Sequence, residues 1–409
     1  MGELGYVVKL AAGSRALVIV LQFLCNHFVP DHEADAFRSP LVKLEQARWS
    51  SGDNLVHYLF EGLNRWDSQY FTHIAQFGYT YEHLVAFFPF LPWLMALTSQ
   101  ILQDIFGTVL NPSSWILISG VLISNISFVL SAVVLYHLTR LLFIDRHFPL
   151  KVTQLYCFNP ASIFFSSCYT ESLFAFLTYS GLFLLEKDFD TLATIFFAAS
   201  SITRSNATLI PIFYLFKIRQ RFNRGKYYFG LIMRMVLACA GNVAVQLYFW
   251  ERFCFPHPRT QFPEAVHTYA DRLNYKIVGD EALEWCFNLI PLSYSYVQAK
   301  YWNVGLLKYW EMKQMPNFVL AMPILVLISH FCRSEHYRRL QRYCVHAVIL
   351  CCIFVFFANV QVSTRVIMSA TPLPFWAAAS AKNPTLVWAY FIWYFFVGIF
   401  LHSNFLPWT

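Results

Sequence analysis

Hydrophobic positions along this chain fall into uncharged runs, several of them close to the roughly 20 residues a helix needs to cross the hydrocarbon of a bilayer. The first run covers 16–28. Others lie at 84–106, 114–139, 152–169, 172–185, 190–203, 205–216, 228–254, 316–331, 343–360, 362–381 and 385–402. The pattern predicts an all-α polytopic membrane protein, one multi-spanning domain over 1–409, with about 10–12 membrane helices. The runs between 152 and 216 are short for independent spans, so tilting or merging around Arg204 is expected there.

Two longer polar stretches interrupt the runs. The stretch 30–82 holds eight acidic and four basic residues, and 255–315 forms a second large polar loop. Three shorter connections are basic: 140–151, 333–342, and 217–226 with five basic and no acidic residues. Positive loops stay on the cytoplasmic side, so these three, together with Lys9 and Arg15 ahead of an uncleaved first helix, fix one face of the protein. Parity then requires that one of 84–106 and 114–139 does not cross. Pro89 and Pro92 would break a helix, so 84–106 is read as a dipping or interfacial element within a first luminal region 30–106. Arg15 and Arg234 are read as snorkelling near the cytoplasmic ends of their helices.

Composition agrees. The 409 residues are 57% hydrophobic and 13% charged, against roughly a quarter charged in a soluble domain. The formal charge of +7 is scattered over short loops, which marks topology rather than a nucleic-acid surface. The cysteines show no metal-type spacing, and no metal is expected; Cys254 and Cys286 flank a polar region, leaving a disulfide between them open. No Gly-rich phosphate loop or Ser-His-Asp signature appears, which disfavours nucleotide-dependent chemistry.

Opposite the basic loops, separated polar motifs converge. Arg65-Trp66-Asp67 places a cation, an indole and a carboxylate beside the membrane. On a helix Asp67 shares a face with Phe71 and Ile74. A carboxylate aimed at apolar surface is costly unless paired, and its desolvation there would suit it to general-base work; an Arg-Asp pair on an interfacial helix is the plainer reading. Glu82 and His83 stand at the mouth of the dipping segment. Asn159-Pro160 leads to Tyr169-Thr170-Glu171-Ser172, where Pro160 frees a backbone carbonyl and Glu171 opens the next helix, a position that favours an acid with or without a substrate. Arg204 lies between two uncharged runs, where an arginine is expensive unless it meets an anion. Its fork suits phosphate oxygens, and Asn206 adds a donor. Arg365 repeats that setting, so either arginine can hold the anion.

Taken in order, Arg65-Trp66-Asp67, Phe71-Thr72-His73-Ile74-Ala75, Gly78-Tyr79, Tyr81-Glu82-His83, Ala86-Phe87-Phe88-Pro89, Asn159-Pro160-Ala161, Tyr169-Thr170-Glu171-Ser172-Leu173-Phe174 and Thr203-Arg204-Ser205-Asn206 resemble the signatures of the GPI mannosyltransferase 2 family. The resemblance covers most of 1–250 and is weaker over 255–315. It implies a GT-C type glycosyltransferase in the endoplasmic reticulum membrane with a luminal active site. The implied reaction adds the second mannose of the glycosylphosphatidylinositol (GPI) precursor, from dolichyl-phosphate-mannose, in α1,6 linkage and with inversion. By the same resemblance Asp67 is the base; Arg65, Trp66, Glu82, His83, Tyr169, Glu171 and Asn206 bind substrate; Arg204 or Arg365 holds the donor phosphate. No cofactor beyond the lipid-linked donor is implied, the acceptor is the glycolipid precursor, and an accessory membrane subunit stays open. Competing readings are a related lipid-linked sugar transferase with another acceptor and a non-enzymatic transporter or scramblase.

Overall fold

A computed structural model describes residues 2–408 except 221–224, 259–261, 282, 335 and 336. Helices account for nearly all of its regular structure; a lone β-bridge pairs Tyr81 with Ile277. Helix α1 (Glu3–Phe28) contains the whole first apolar run. The first polar stretch folds into α2 (Pro40–Gln46), α3 (Ser51–Phe60) and α4 (Asp67–Phe77). Then follow α5 (Phe90–Phe106), α6 (Pro112–Leu142), α7 (Phe148–Cys157), α8 (Glu171–Glu186), α9 (Asp190–Thr203), α10 (Pro211–Gln220) and α11 (Gly225–Cys254). The second polar stretch carries α12 (Glu264–Leu273) and α13 (Ser293–Trp302). The chain finishes with α14 (Met315–Cys332), α15 (Tyr337–Phe356), α16 (Ser363–Ala370), α17 (Leu373–Ala379) and α18 (Pro384–Ser403).

Local chemistry sets these boundaries. Ser50 and Asp53 form a capping box at the start of α3, and Asn111 and Asn383 cap α6 and α18, each followed by proline in the first turn. Proline is tolerated there because its missing N–H would have no intrahelical partner anyway. Pro89 and Pro92 obey the same rule. They open α5 as its N-cap and first-turn residues instead of breaking it, so 90–106 is one unbroken helix.

Among the described residues five helices are long and apolar enough to cross a membrane: α1, α6, α11 over Tyr228–Cys254, α14 with its preceding turn, and α18. The remaining apolar runs form shorter helices packed between them. Gly181 on α8 admits the Phe197 ring of α9; a Cβ there would overlap it, the small-residue approach that lets membrane helices pack closely.

Long-range contacts sort the helix ends onto two faces. Tyr136 near the end of α6 donates to Glu3 at the start of α1. Lys151 at α7 donates to the Ala379 carbonyl at 2.6 Å, and Trp376 reaches Thr139 at 2.9 Å. Lys217 of α10 meets Asp188 at 2.8 Å and also Asp190, and Arg342 meets Glu186. The basic connections therefore share one end of the bundle. At the other end Asp53 of α3 accepts the Asn111 N–H at 2.7 Å and the Ser114 hydroxyl at 2.6 Å. Residues 53 and 111 touch, so the chain between them makes no net passage, and α5 runs back along α6 on the same side.

Two basic residues, Arg15 and Lys217, are not placed as their positions suggested. Arg15 does not snorkel: it is 2% exposed and donates to the Cys157 and Ser162 carbonyls, to the hydroxyls of Ser162 and Ser166 and, at 3.3 Å, to Ser14, with Phe128 beneath its guanidinium at 3.8 Å. The carbonyls it takes belong to the break between α7 and α8. Lys217, read as part of a solvated basic loop, is 4% exposed and ion-paired.

Candidate active site

The site forms where four chain breaks meet on the face opposite the basic connections. The first is the turn into α4. Trp66 has φ +54°, a left-handed conformation that costs a non-glycine residue of order 1–3 kcal/mol. Neighbours hold it: Ser68 donates to the Leu63 carbonyl at 2.9 Å, and the Tyr169 hydroxyl accepts the Asp67 N–H at 3.0 Å while donating to the Arg65 carbonyl at 3.3 Å. The turn ends with Asp67 as the first residue of α4, its side chain 29% exposed and 2.6 Å from Nη2 of Arg365. The carboxylate thus faces a cation, not the apolar surface expected of it.

The second break is 158–170. Pro160 cannot donate to the Tyr156 carbonyl, and Asn159 Nδ2 does so instead at 2.8 Å. The segment then turns through Ser162–Phe165 to deliver Tyr169 and Glu171, both about 1% exposed. Glu171 opens α8, where the helix dipole favours an acid. Its Oε1 lies 2.8 Å from Arg204 and 3.9 Å from Nε of Arg365. Arg204 arrives from the third break, between α9 and the Ser205–Leu209 turn. Arg365 arrives from the fourth, at the start of α16, and lies over the rings of Phe164 and Tyr169 at 5.1 and 5.3 Å. Two carboxylates and two guanidinium groups form one contiguous, formally neutral cluster: Asp67, Arg365, Glu171, Arg204.

Much of its hydrogen-bonding capacity is open. Neither oxygen of Glu171 makes an aligned hydrogen bond, nor do Nη1 of Arg204, Nε of Arg365, Thr364 Oγ1, or either amide atom of Asn206, all buried. Buried polar groups are normally satisfied, and such a concentration of donors and acceptors without aligned hydrogen bonds makes this cluster the candidate site for a polar ligand.

Other residues read from the sequence are engaged elsewhere. Arg65 is 2% exposed; it pairs with Asp31 and Glu61, each at 2.8 Å, and with Asn26 at 2.9 Å, contacts that hold the Trp66 turn. Glu82 is fully buried and joins the two polar stretches, accepting from Trp285 at 3.2 Å, Lys300 at 2.8 Å and Tyr301 at 2.6 Å. His83 is enclosed by aromatic rings, Tyr275 nearest at 4.1 Å, and burial pushes its imidazole down to about 3. Trp66 packs edge-on against Phe405 at 5.8 Å. Cys254 and Cys286 are joined in a disulfide, with Cα atoms 5.6 Å apart, pinning the end of α11 to the second polar stretch.

His402 passed unnoticed in the sequence. It ends α18, fully buried, with its ring 5.6 Å from Tyr169 and 5.2 Å from Phe164. A histidine closing an apolar helix carries no signal of its own; only the fold brings it to the cluster.

Comparison with known proteins covers nearly the whole chain. The relatives include proteins named GPI alpha-1,6-mannosyltransferase 2 from Rattus norvegicus, 32% identical over 98% of both chains, and from Homo sapiens, 30% identical over 98% of both. The GPI mannosyltransferase 2 of Drosophila melanogaster is 32% identical over 98% of this chain and 99% of its own. The alignments therefore extend past residue 250. Among solved structures, the Archaeoglobus fulgidus oligosaccharyltransferase aligns with 97% of this chain and 53% of its own at 12% identity and a TM-score of 0.46, too loose a match to argue from. The profile of the family described as Mannosyltransferase (PIG-V) matches residues 4–340, a span that contains Asp67, Glu171 and Arg204, and the chain belongs to that family.

Proposed function

We propose that the protein transfers mannose from dolichyl-phosphate-mannose to a GPI-precursor glycolipid, forming an α1,6 linkage with inversion, with Asp67 as the general base. The observation that carries the reading is the Asp67–Arg365–Glu171–Arg204 cluster on one face of a membrane bundle, in a chain of a mannosyltransferase family. A β-linked mannosyl phosphate giving an α product requires attack from the opposite side of the sugar. Asp67 takes the proton of the acceptor hydroxyl as its oxygen bonds to the anomeric carbon, and the bond from that carbon to the phosphate oxygen breaks. Dolichyl phosphate is already a good leaving group, so no second carboxylate need protonate it; what it needs is charge stabilisation.

Arg204 is the better placed donor-phosphate ligand. Arg365 is hydrogen-bonded to Asp67 and orients the base, whereas Arg204 is ion-paired with Glu171 without an aligned hydrogen bond and the amide of Asn206, two residues on, makes no hydrogen bond. Glu171 holds both guanidinium groups in register. Arg65 and Glu82 act as positioning residues for the turn and the polar stretches. The GT-C type arrangement and residence in the endoplasmic reticulum membrane with the site facing the lumen belong to the same proposal. The Cys254–Cys286 bond supports the orientation, since disulfides persist in oxidising compartments.

The test is glycolipid analysis of cells lacking the protein. They should accumulate a GPI precursor bearing one mannose, relieved by the wild-type chain and not by Asp67→Asn at equal membrane abundance. Normal mannosylation by that variant overturns the assignment of the base; no change in GPI precursors overturns the acceptor.

A further inference from the structure

The second polar stretch contains an apolar loop that none of the described residues covers. Phe287 is 77% exposed, Leu289 100%, Ile290 65% and Leu292 47%, four large hydrophobic side chains within six residues. An exposed contiguous patch of this kind marks an interaction surface.

Its two ends fix its depth. Cys286 is bonded to Cys254, the last residue of α11. Just beyond the loop, the Ser293 hydroxyl and the Tyr294 N–H donate to Oε1 of Gln246 at 2.9 and 3.2 Å. Gln246 lies two turns inside α11, roughly 12 Å below Cys254 along the axis. Helix α11 is long and apolar enough to span over Tyr228–Cys254, and beside Gln246 it presents exposed Val243 and Leu247. The loop therefore descends along a membrane helix and ends level with that helix's lipid-facing side chains.

We infer that 287–292 is a re-entrant loop inserted into the lipid leaflet on the active-site face, its occupant being the hydrocarbon of the bilayer. The inference does not depend on the reaction proposed above. It does give the site a lipid-side wall: Ser205, next to Arg204, donates to the Tyr294 hydroxyl at 2.8 Å, and Tyr294 packs edge-on against Phe88 at 5.5 Å. The loop is thus tied on one side to the cluster and on the other to the membrane.

The test places an environment-sensitive dye, through a genetically encoded clickable residue, at position 289 of the full-length protein in phosphatidylcholine nanodiscs. Position 247 on α11 serves as the lipid reference and exposed position 268 on α12 as the water reference. Emission from 289 should be blue-shifted like that from 247, lose intensity with doxyl-labelled phosphatidylcholine, and be spared by aqueous iodide. Quenching by iodide as at 268, or by neither reagent, overturns the inference. Repeating the measurement from position 290 guards against a label that distorts the loop.

Discussion

Both faces of the bundle are built around ion pairs, yet the two sets differ in kind. On the basic face Lys217 donates to the Leu185 carbonyl and Asp190 while meeting Asp188, and Glu186 accepts from both Arg342 and Tyr343. Those charges are matched by aligned hydrogen bonds that close the ends of α8, α9, α10 and α15. On the opposite face Glu171 touches two guanidinium groups without an aligned hydrogen bond to either. The difference between the faces is therefore not the presence of ion pairs but whether aligned hydrogen bonds close them.

The comparison can be broken most sharply at Asp67. Asp67→Asn is expected to lower kcat by about 10²–10⁴ while the protein still reaches membranes, read by turnover with synthetic acceptor against protein abundance. Next, Arg204→Gln should cost about 10²–10³ in kcat, the scale for removing a charge-stabilising donor, whereas Arg342→Gln should leave turnover per folded molecule unchanged. Equal losses of turnover would erase the distinction between the faces. Third, Lys217→Met removes the nearest cation from Asp190 and should destabilise the fold by about 3 kcal/mol, seen in thermal or denaturant unfolding in detergent, with kcat of the surviving protein intact.

The smallest effect is pH-dependent and belongs to His83. Burial lowers its pKa in the folded protein from 6.5 to about 3. Its neutral form therefore supports folding fully above pH 6.5, and that contribution is lost as pH falls from 6.5 towards 3, because the unfolded chain binds the proton. Between pH 7 and 5 the loss is about 2 kcal/mol. His83→Phe should flatten that part of the stability curve; an unchanged curve would show that the ring is not held neutral.

The sequence pointed to these residues because ionisable groups against apolar runs are expensive, and that reasoning located Asp67, Glu171, Arg204 and Arg365. It could not pair them. Asp67 and Arg365 are 298 positions apart, and no local pattern reveals that α16 starts beside α4. Nor could it tell which arginine is enclosed: Arg15 and Arg234 look alike in sequence, yet Arg15 is buried among the carbonyls of Cys157 and Ser162, whereas Arg234, 30% exposed at its side chain, reaches Thr191 and Asp190 of α9. Arg65, Glu82 and His83 share a motif with Asp67, and adjacency suggested a shared role. Folding separates them, since consecutive residues around a turn and a short helix face different neighbours. His402 was hidden for the opposite reason, lying at the end of an apolar helix far from every motif.

The distance in sequence between Asp67 and Arg365 also has a consequence in time. A ribosome delivers Asp67 early and its partner late, so a nascent or prematurely terminated chain ending anywhere between them carries Asp67 without the guanidinium it pairs with. Such products can insert their first helices and still be silent. On the proposed reaction, activity is thereby withheld until nearly all of the bundle has been synthesised and packed.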